Sequence, residues 1–375
     1  MRTFHPGYYQ NQGRYKSFQP SGINRHWTID DMEILHLLSQ ADREIGRLDT
    51  FSNHIPNIDL YISMHILKEA TQSSRIEGTQ TNIEEAIMEK EDLVPEKRND
   101  WEEVQNYIKA INEAVTRLKD LPFSTRLIRL THKILLQGVR GQHKSPGEFR
   151  TSQNWIGGAG ISDAVFVPPV HNSIQELMSD LEHFTHNEEI LLPELLKIAL
   201  IHYQLETIHP FLDGNGRIGR LMITLYLVEK GVLKRPVLYL SDFFERNKSL
   251  YYDNLTNVRT KGDLKQWFKF FLVGISETAK RGVATFDAVL QLKKEIENKI
   301  QNKGKRAVQL LQIMDYLYKS PVLNQEKISG ITGVSKNTAY KLLDELTDMH
   351  ILKEITGAKR GKLFLFEAYV QLFKN

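Results

Sequence analysis

Residues 209–220 read His-Pro-Phe-Leu-Asp-Gly-Asn-Gly-Arg-Ile-Gly-Arg, the residue types that a phosphate-handling site needs. The imidazole of His209, near its unperturbed pKa, could accept a proton from an attacking hydroxyl. Asp213 could hold Mg²⁺ against phosphates, because magnesium takes one or two protein carboxylates and fills its shell with substrate oxygens. Gly214 and Gly216 allow the backbone to approach an anion closely. Arg217 and Arg220 stand at i and i+3 on one helix face, where two guanidiniums can grip polyphosphate oxygens in fork geometry. Taken singly these features are bland: Asp-Gly-Asn-Gly is an ordinary turn, and a histidine beside proline is usually a helix end. Their fixed order is what carries chemistry.

The flanking sequence must position that loop. Leu195 to Leu205 is almost wholly apolar after Pro193, a favourable helix start, and Ile218 to Val228 is apolar again up to Gly231, a C-terminal cap. The spacing therefore predicts two buried helices with the motif as their connection. The first turn of the second helix, from Asn215, would offer unpaired N–H groups and a positive dipole end to an anion.

At this point the residues resemble the Fic-domain signature, His-x-Phe-x-Asp/Glu-Gly-Asn-Gly-Arg-x-x-Arg, at every specified position. Most Fic proteins move AMP from ATP onto a hydroxyl side chain of a target protein and release pyrophosphate. The resemblance implies that His209 is the general base, Asp213 the Mg²⁺ ligand, and Gly214, Asn215 and Gly216 the anion hole. Arg217 and Arg220 would hold the β- and γ-phosphates, Ile218 and Gly219 complete the nucleotide-binding run, and Phe211 anchors the loop. ATP and Mg²⁺ are the cofactors it implies.

Upstream, Ser73-Ser74-Arg75-Ile76-Glu77-Gly78 closes a helical stretch, with Ser73 and Glu77 four apart on one face. A serine and a glutamate near a helix end are commonplace. The hexapeptide nevertheless resembles the inhibitory motif of Fic proteins that carry it N-terminal to the core, which implies that Glu77 pairs with Arg220 and denies it to the γ-phosphate. Between the two motifs, Asn154 to Ile156 and Val165 to Val167 flank a glycine-rich turn and read as a β-hairpin. By resemblance it is the flap that pairs with the target segment as an added strand, with Ile156, Gly157 and Gly158 in it. Tyr251 and Tyr252 resemble the segment bounding the adenine pocket; which of the two would touch base or ribose is left open.

The whole chain has 375 residues, enough for two or three domains, with 49 basic against 46 acidic residues, so no global field favours nucleic acid or membrane. It has no cysteine, which removes disulfides and thiolate chemistry and suits a reducing cytosol. Neither a signal peptide nor a membrane span is apparent, so a cytoplasmic protein with no membrane partner is expected. Helical periodicity marks stretches near 31–49, 58–77, 100–119, 124–138, 173–186, 193–207, 215–230, 248–258, 263–280 and 285–301, so the fold class is mainly α. The expected layout is a helical N-terminal region with the inhibitory motif (1–100), a Fic core with its small hairpin flap (101–300), a polar linker at 301–306, and a C-terminal module (305–375).

That module reads as a winged helix-turn-helix: helices from Val308, Asn324 and Ser335, then a strand pair at 351–355 and 362–366. Its third helix, 335–349, has two lysines against three acidic residues, although 305–375 holds 11 basic against 7 acidic overall. A protein-docking role is favoured over DNA binding, and a homodimer is left open. Three rivals to AMP transfer to a Ser, Thr or Tyr hydroxyl follow from the sequence: a Doc-type phosphotransferase, a hydrolase removing AMP on the same site, and a DNA-binding regulator with a nucleotide-sensing domain.

Overall fold

The computed structural model describes residues 4–55, 57–301, 303–357 and 361–374. In chain order, a hairpin of β1 (Gly7–Asn11) and β2 (Lys16–Pro20) is followed by α1 (Met32–Asn53), α2 (Asp59–Ile76), α3 (Ile83–Ala86), α4 (Arg98–Arg117), α5 (Thr125–Leu135) and α6 (Ile174–His186). Then come α7 (Glu194–Ile208), α8 (Asn215–Glu229), α9 (Ser241–Arg246), α10 (Lys248–Lys261) and α11 (Leu264–Gln301). The C-terminal part runs α12 (Ala307–Lys319), β3 (Val322–Leu323), α13 (Gln325–Thr332), α14 (Lys336–Asp348), β4 (Lys353–Glu354), β5 (Phe364–Leu365) and α15 (Glu367–Lys374). Mainly α, with small antiparallel sheets, is therefore the observed class.

The helix pair α7 and α8 lies at the centre. All but the first residue of α7 are buried, so this helix is apolar all round, as a core helix must be. Around the pair, α1 runs along α11, α2 packs on α4 and α9, and α4 on α5. Two stretches read as separate helices, 263–280 and 285–301, form the single 38-residue α11. The reason lies in Gly282: a Cβ there would stand 3.0 Å from Leu48 Cδ1. That glycine lets α1 approach and does not end the helix.

Two β elements went unforeseen. The β1–β2 hairpin joins the segment after the glycine-rich turn through Phe18 N–H donating to Val167 O at 2.9 Å. In the C-terminal part β3 is a third strand, giving the antiparallel order β3-β5-β4. Asn324 and Ser335 cap α13 and α14 through their side chains, and Gly333, at φ 69°, closes α13. Residues 358–360 of the expected wing lie outside the described residues. One contiguous apolar core runs from Phe4 to Phe373. Among the described residues no helix is long and apolar enough to cross a membrane.

Candidate active site

The sequence folds the 209–214 loop by forcing the chain out of helical geometry at both ends. His209 ends α7 in the left-handed region (φ 51°), and Gly214 opens α8 in the same region (φ 76°). A non-glycine residue tolerates that backbone only when its surroundings hold it there. Here Arg150 Nε (2.9 Å) and Asn154 Nδ2 (3.4 Å) donate to the His209 carbonyl. The Asn215 side chain braces the loop from inside, accepting from Phe211 N and donating to Phe211 O, each at 2.9 Å. Asn215 therefore faces Phe211 with its side chain and leaves only its backbone N–H to a ligand. The first-turn amides of α8 have no intrahelical acceptors, so the turn is a cradle that can receive an anion.

His209 is half-buried, and its enclosed Nδ1 makes no hydrogen bond among the described residues. Burial first, and the Arg150 charge second, pull its pKa down to about 4. The imidazole is thus neutral at physiological pH and free to accept a proton.

Above the cradle lies the end of α2. Arg220 Nε donates to Ser73 Oγ (2.9 Å), and its Nη2 to Ser73 O (2.9 Å) and Glu77 Oε1 (2.6 Å). The guanidinium is almost wholly buried, whereas the Glu77 side chain keeps 36% exposure. Burial alone would raise the Glu77 pKa; the Arg220 charge and hydrogen bond override it and hold the carboxyl below its ordinary range. A side chain at Gly216 would collide with Glu77 Oε1 and Arg220 Nη1. The carboxylate thus sits directly over the glycine turn, and Tyr252 lies close enough to feel both charges.

Arg217 is equally buried and equally engaged. Its Nη1 meets Glu103 Oε2 at 3.1 Å, its Nη2 lies 3.5 Å from Asp213 Oδ1, and its Nε has no partner. Asp213 accepts from Gly214 N at 2.6 Å and keeps 42% side-chain exposure. Among the described residues no group of three or more His, Asp or Glu side chains is arranged to hold a metal. A half-exposed single carboxylate beside an anion cradle fits an Mg²⁺ that takes most of its ligands from a nucleotide and water.

Three expected residues are placed away from the cradle. Ile218 is buried in the core. Gly219 backs onto the α7 side, its carbonyl bonded to His202 Nδ1 at 3.0 Å and its Cα facing Glu206. Tyr251 is 1% exposed with its hydroxyl on His202 Nε2 at 2.8 Å, so of the tyrosine pair only Tyr252, 40% exposed, has a face to offer. For Ile218 and Gly219 this follows from helical geometry: between Arg217 and Arg220 they lie on the other faces of α8, against the core.

The hairpin is slighter than expected. Ile156 and Phe166 form a single antiparallel bridge, with Gly157 and Gly158 at positive φ and the turn capped by Asp163 accepting from Ala159 N and Gly160 N. Arg150 Nη2 donates to Pro169 O (2.6 Å) and Ile208 O (3.4 Å), so one buried guanidinium ties the hairpin base to the motif loop. Sequence reasoning missed Arg150, and also His132. The His132 ring stacks on Phe211 at 3.7 Å, accepts from Gly147 N at Nδ1 (2.8 Å) and reaches Asp213 O with Nε2 (2.9 Å). The Gly147 N–H fixes the tautomer, making Nε2 the donor.

The chain is similar to known proteins in sequence and in fold. Residues 35–116 match the family model described as Fic/DOC family N-terminal, and 122–227 match the Fic/DOC family model. Relatives named protein adenylyltransferase Fic include one from Culex quinquefasciatus, 27% identical over 60% of this chain and 37% of its own length. Another, from Drosophila grimshawi, is 30% identical over 50% of this chain and 36% of its own. The chain thus spans about a third of the length of these curated relatives. Among solved structures, a Fic family protein from Desulfovibrio desulfuricans superposes with a TM-score of 0.55 at 19% identity, covering 91% of this chain and 97% of that one. A fragment of Fic-1 from C. elegans gives 0.51 at 19% identity over 69% and 74%. At such identities the likeness speaks for the fold alone.

Proposed function

Because this chain belongs to the Fic/DOC family, we propose that it is a protein adenylyltransferase, moving AMP from ATP to a Ser, Thr or Tyr hydroxyl of a target protein, and that Glu77 holds it inactive. The observation that carries the reading is the ion pair of buried Arg220 with the part-exposed Glu77 over the glycine turn. A carboxylate there satisfies the guanidinium and repels a triphosphate tail from the cradle. The relatives are named adenylyltransferases, which favours AMP transfer over phosphoryl transfer.

The chemistry follows from the residues. The target hydroxyl oxygen forms a bond to the α-phosphorus of ATP as its proton passes to the neutral His209 imidazole. The bond from that phosphorus to the bridging oxygen breaks, and the electron pair leaves with pyrophosphate. First-turn amides of α8 would steady the charge on the phosphates, and Arg217 and Arg220 would receive the leaving pyrophosphate. Asp213 would hold Mg²⁺, which when bound supplies charge neutralisation along the phosphates. The hairpin at 154–167 would seat the target segment as an added strand, beside Ile156, Gly157 and Gly158. Residues 1–100 would form the inhibitory region, 101–300 the catalytic core and 305–375 a winged helix-turn-helix module, the last supported by the order of α12 to β5 and the sheet order β3-β5-β4.

Incubation with α-labelled ATP and a cell lysate tests the reading. Glu77→Gly should raise labelling at least tenfold over the unaltered chain, and His209→Ala in that background should abolish it. Equal labelling with and without Glu77 would remove the brake. Labelling only from γ-labelled ATP would replace AMP transfer by phosphoryl transfer.

A further inference from the structure

Behind the two motif arginines lies a charge cluster that the mechanism above does not use. Glu103, on α4, is 3% exposed and has both carboxylate oxygens engaged. Oε2 takes Arg217 Nη1 (3.1 Å) and the Thr79 hydroxyl (3.4 Å); Oε1 takes Arg140 Nη2 (2.9 Å). Arg140 itself is 69% exposed in its side chain. Its neighbour Gly141 lies against the Asp213 carboxylate, for a Cβ at 141 would come within 2.8 Å of Asp213 Oδ2. Arg140 therefore stands at the phosphate end of the cradle, contributed by the loop after α5.

We infer that Glu103 is a positioning residue that aims Arg217 at the phosphates and brings Arg140 to the same end as a third guanidinium for a polyphosphate tail. The inference rests on the cradle binding a nucleotide triphosphate. Three observations favour an anchor over a second brake. Glu103 and Arg217 are each only 5% exposed in their side chains, and Glu103 lies inside α4, unlike Glu77 at the end of α2 with 36% exposure. The contact engages only the Nη1 edge of Arg217 and leaves Nε unpartnered and Nη2 on the Asp213 side, facing the loop. One carboxylate shared by two guanidiniums also leaves a net positive charge beside the cradle. With Glu77 in place, three guanidiniums (Arg140, Arg217, Arg220) face three carboxylates (Glu77, Glu103, Asp213), beside the buried Glu206, whose carboxyl burial pushes up to about 7. With Glu77 withdrawn, positive charge prevails and a polyanion is attracted.

The test uses the full chain carrying Glu77→Gly, with KM and kcat for ATP from α-label incorporation and calorimetric titration of pyrophosphate. Adding Glu103→Gln, nearly isosteric, should raise KM for ATP about tenfold, equivalent to about 1.4 kcal/mol and on the scale of one charged hydrogen bond. Turnover should stay within about threefold, and pyrophosphate affinity should fall in parallel. Adding Arg140→Ala, a surface change that leaves the core untouched, should raise KM about threefold to fivefold, and it decides the matter if the Glu103 variant does not fold. Unchanged KM and pyrophosphate affinity in the folded variants would overturn the inference, as would a rise in labelling on making Glu103→Gln in the chain that keeps Glu77. If the Glu77→Gly chain itself transfers no AMP, the functional reading has failed, and the pyrophosphate titration still decides whether Glu103 arms an anion site.

Discussion

A histidine held at φ 51° is a strained residue, and the strain at His209 is maintained by neighbours that also set its chemistry. Arg150 grips the carbonyl of His209 and, by its charge, adds to the burial that lowers the imidazole pKa to about 4. Glu77 acts in the opposite direction, so its removal shifts that pKa further down. A base with a depressed pKa is deprotonated, and so competent, at every pH above it. For the Glu77→Gly chain, kcat/KM for ATP should therefore show no acid limb near 6.5 and stay level from about pH 5.5 to 7.5. A limb with a midpoint near the unperturbed histidine value would mean that His209 is solvated during reaction and that burial does not govern it. The Glu77–Arg220 pair has its own pH sign: the Glu77 pKa is lowered, so the pair persists above the ordinary carboxylate range and is lost only as pH falls through the depressed value.

At the scale of elements, the loop joining α7 to α8 is held less by its own residues than by what reaches it from elsewhere. Arg150 donates to four carbonyls, those of Ser152, Pro169, Ile208 and His209. Arg150→Ala would leave several buried acceptors unpaired, each costing about 1–3 kcal/mol. A drop of several degrees in melting temperature by calorimetry, together with near-complete loss of AMP transfer, is the expected result. Arg150→Lys should not restore transfer, since an ammonium cannot reproduce the fork; full activity in the lysine variant would show that charge alone suffices. Arg150 also marks where sequence reading stops. The motif from His209 to Arg220, the two apolar helices and the Ser73 to Glu77 spacing are local patterns, and local patterns survive in a linear string. The contacts of Arg150, His132 and Glu103 join residues 59, 81 and 114 positions apart, and nothing at either end announces the other. The β1–β2 hairpin was hidden for a different reason: β1 is an edge strand with most of its residues exposed, so it lacks the alternation that betrays a half-buried strand.

Across the whole molecule, the C-terminal elements bear on α2, the helix that ends at Glu77. Tyr318 of α12 meets Tyr61 of α2 edge-on at 5.3 Å, and Ser63 Oγ donates to Lys319 O at 3.3 Å. The His65 ring, one turn further along α2, is flanked by Phe286 of α11 at 4.5 Å and Phe373 of α15 at 5.1 Å. Past the end of α2, Lys374 pairs with Glu84 and Lys327 with Glu89. Described residues of the C-terminal part thus touch the chain on both sides of Glu77. Displacing the module by a few ångströms would tilt α2 and draw Glu77 from Arg220, since a packed helix moves as a unit. Phe373→Ala isolates the coupling without touching the cradle. In the chain that keeps Glu77, it should cost about 3–5 kcal/mol of stability and raise labelling from α-labelled ATP severalfold, with no further effect once Glu77→Gly is present. Equal labelling of the Phe373→Ala and unaltered chains, both folded by circular dichroism, would mean that the module rides on α2 without governing it.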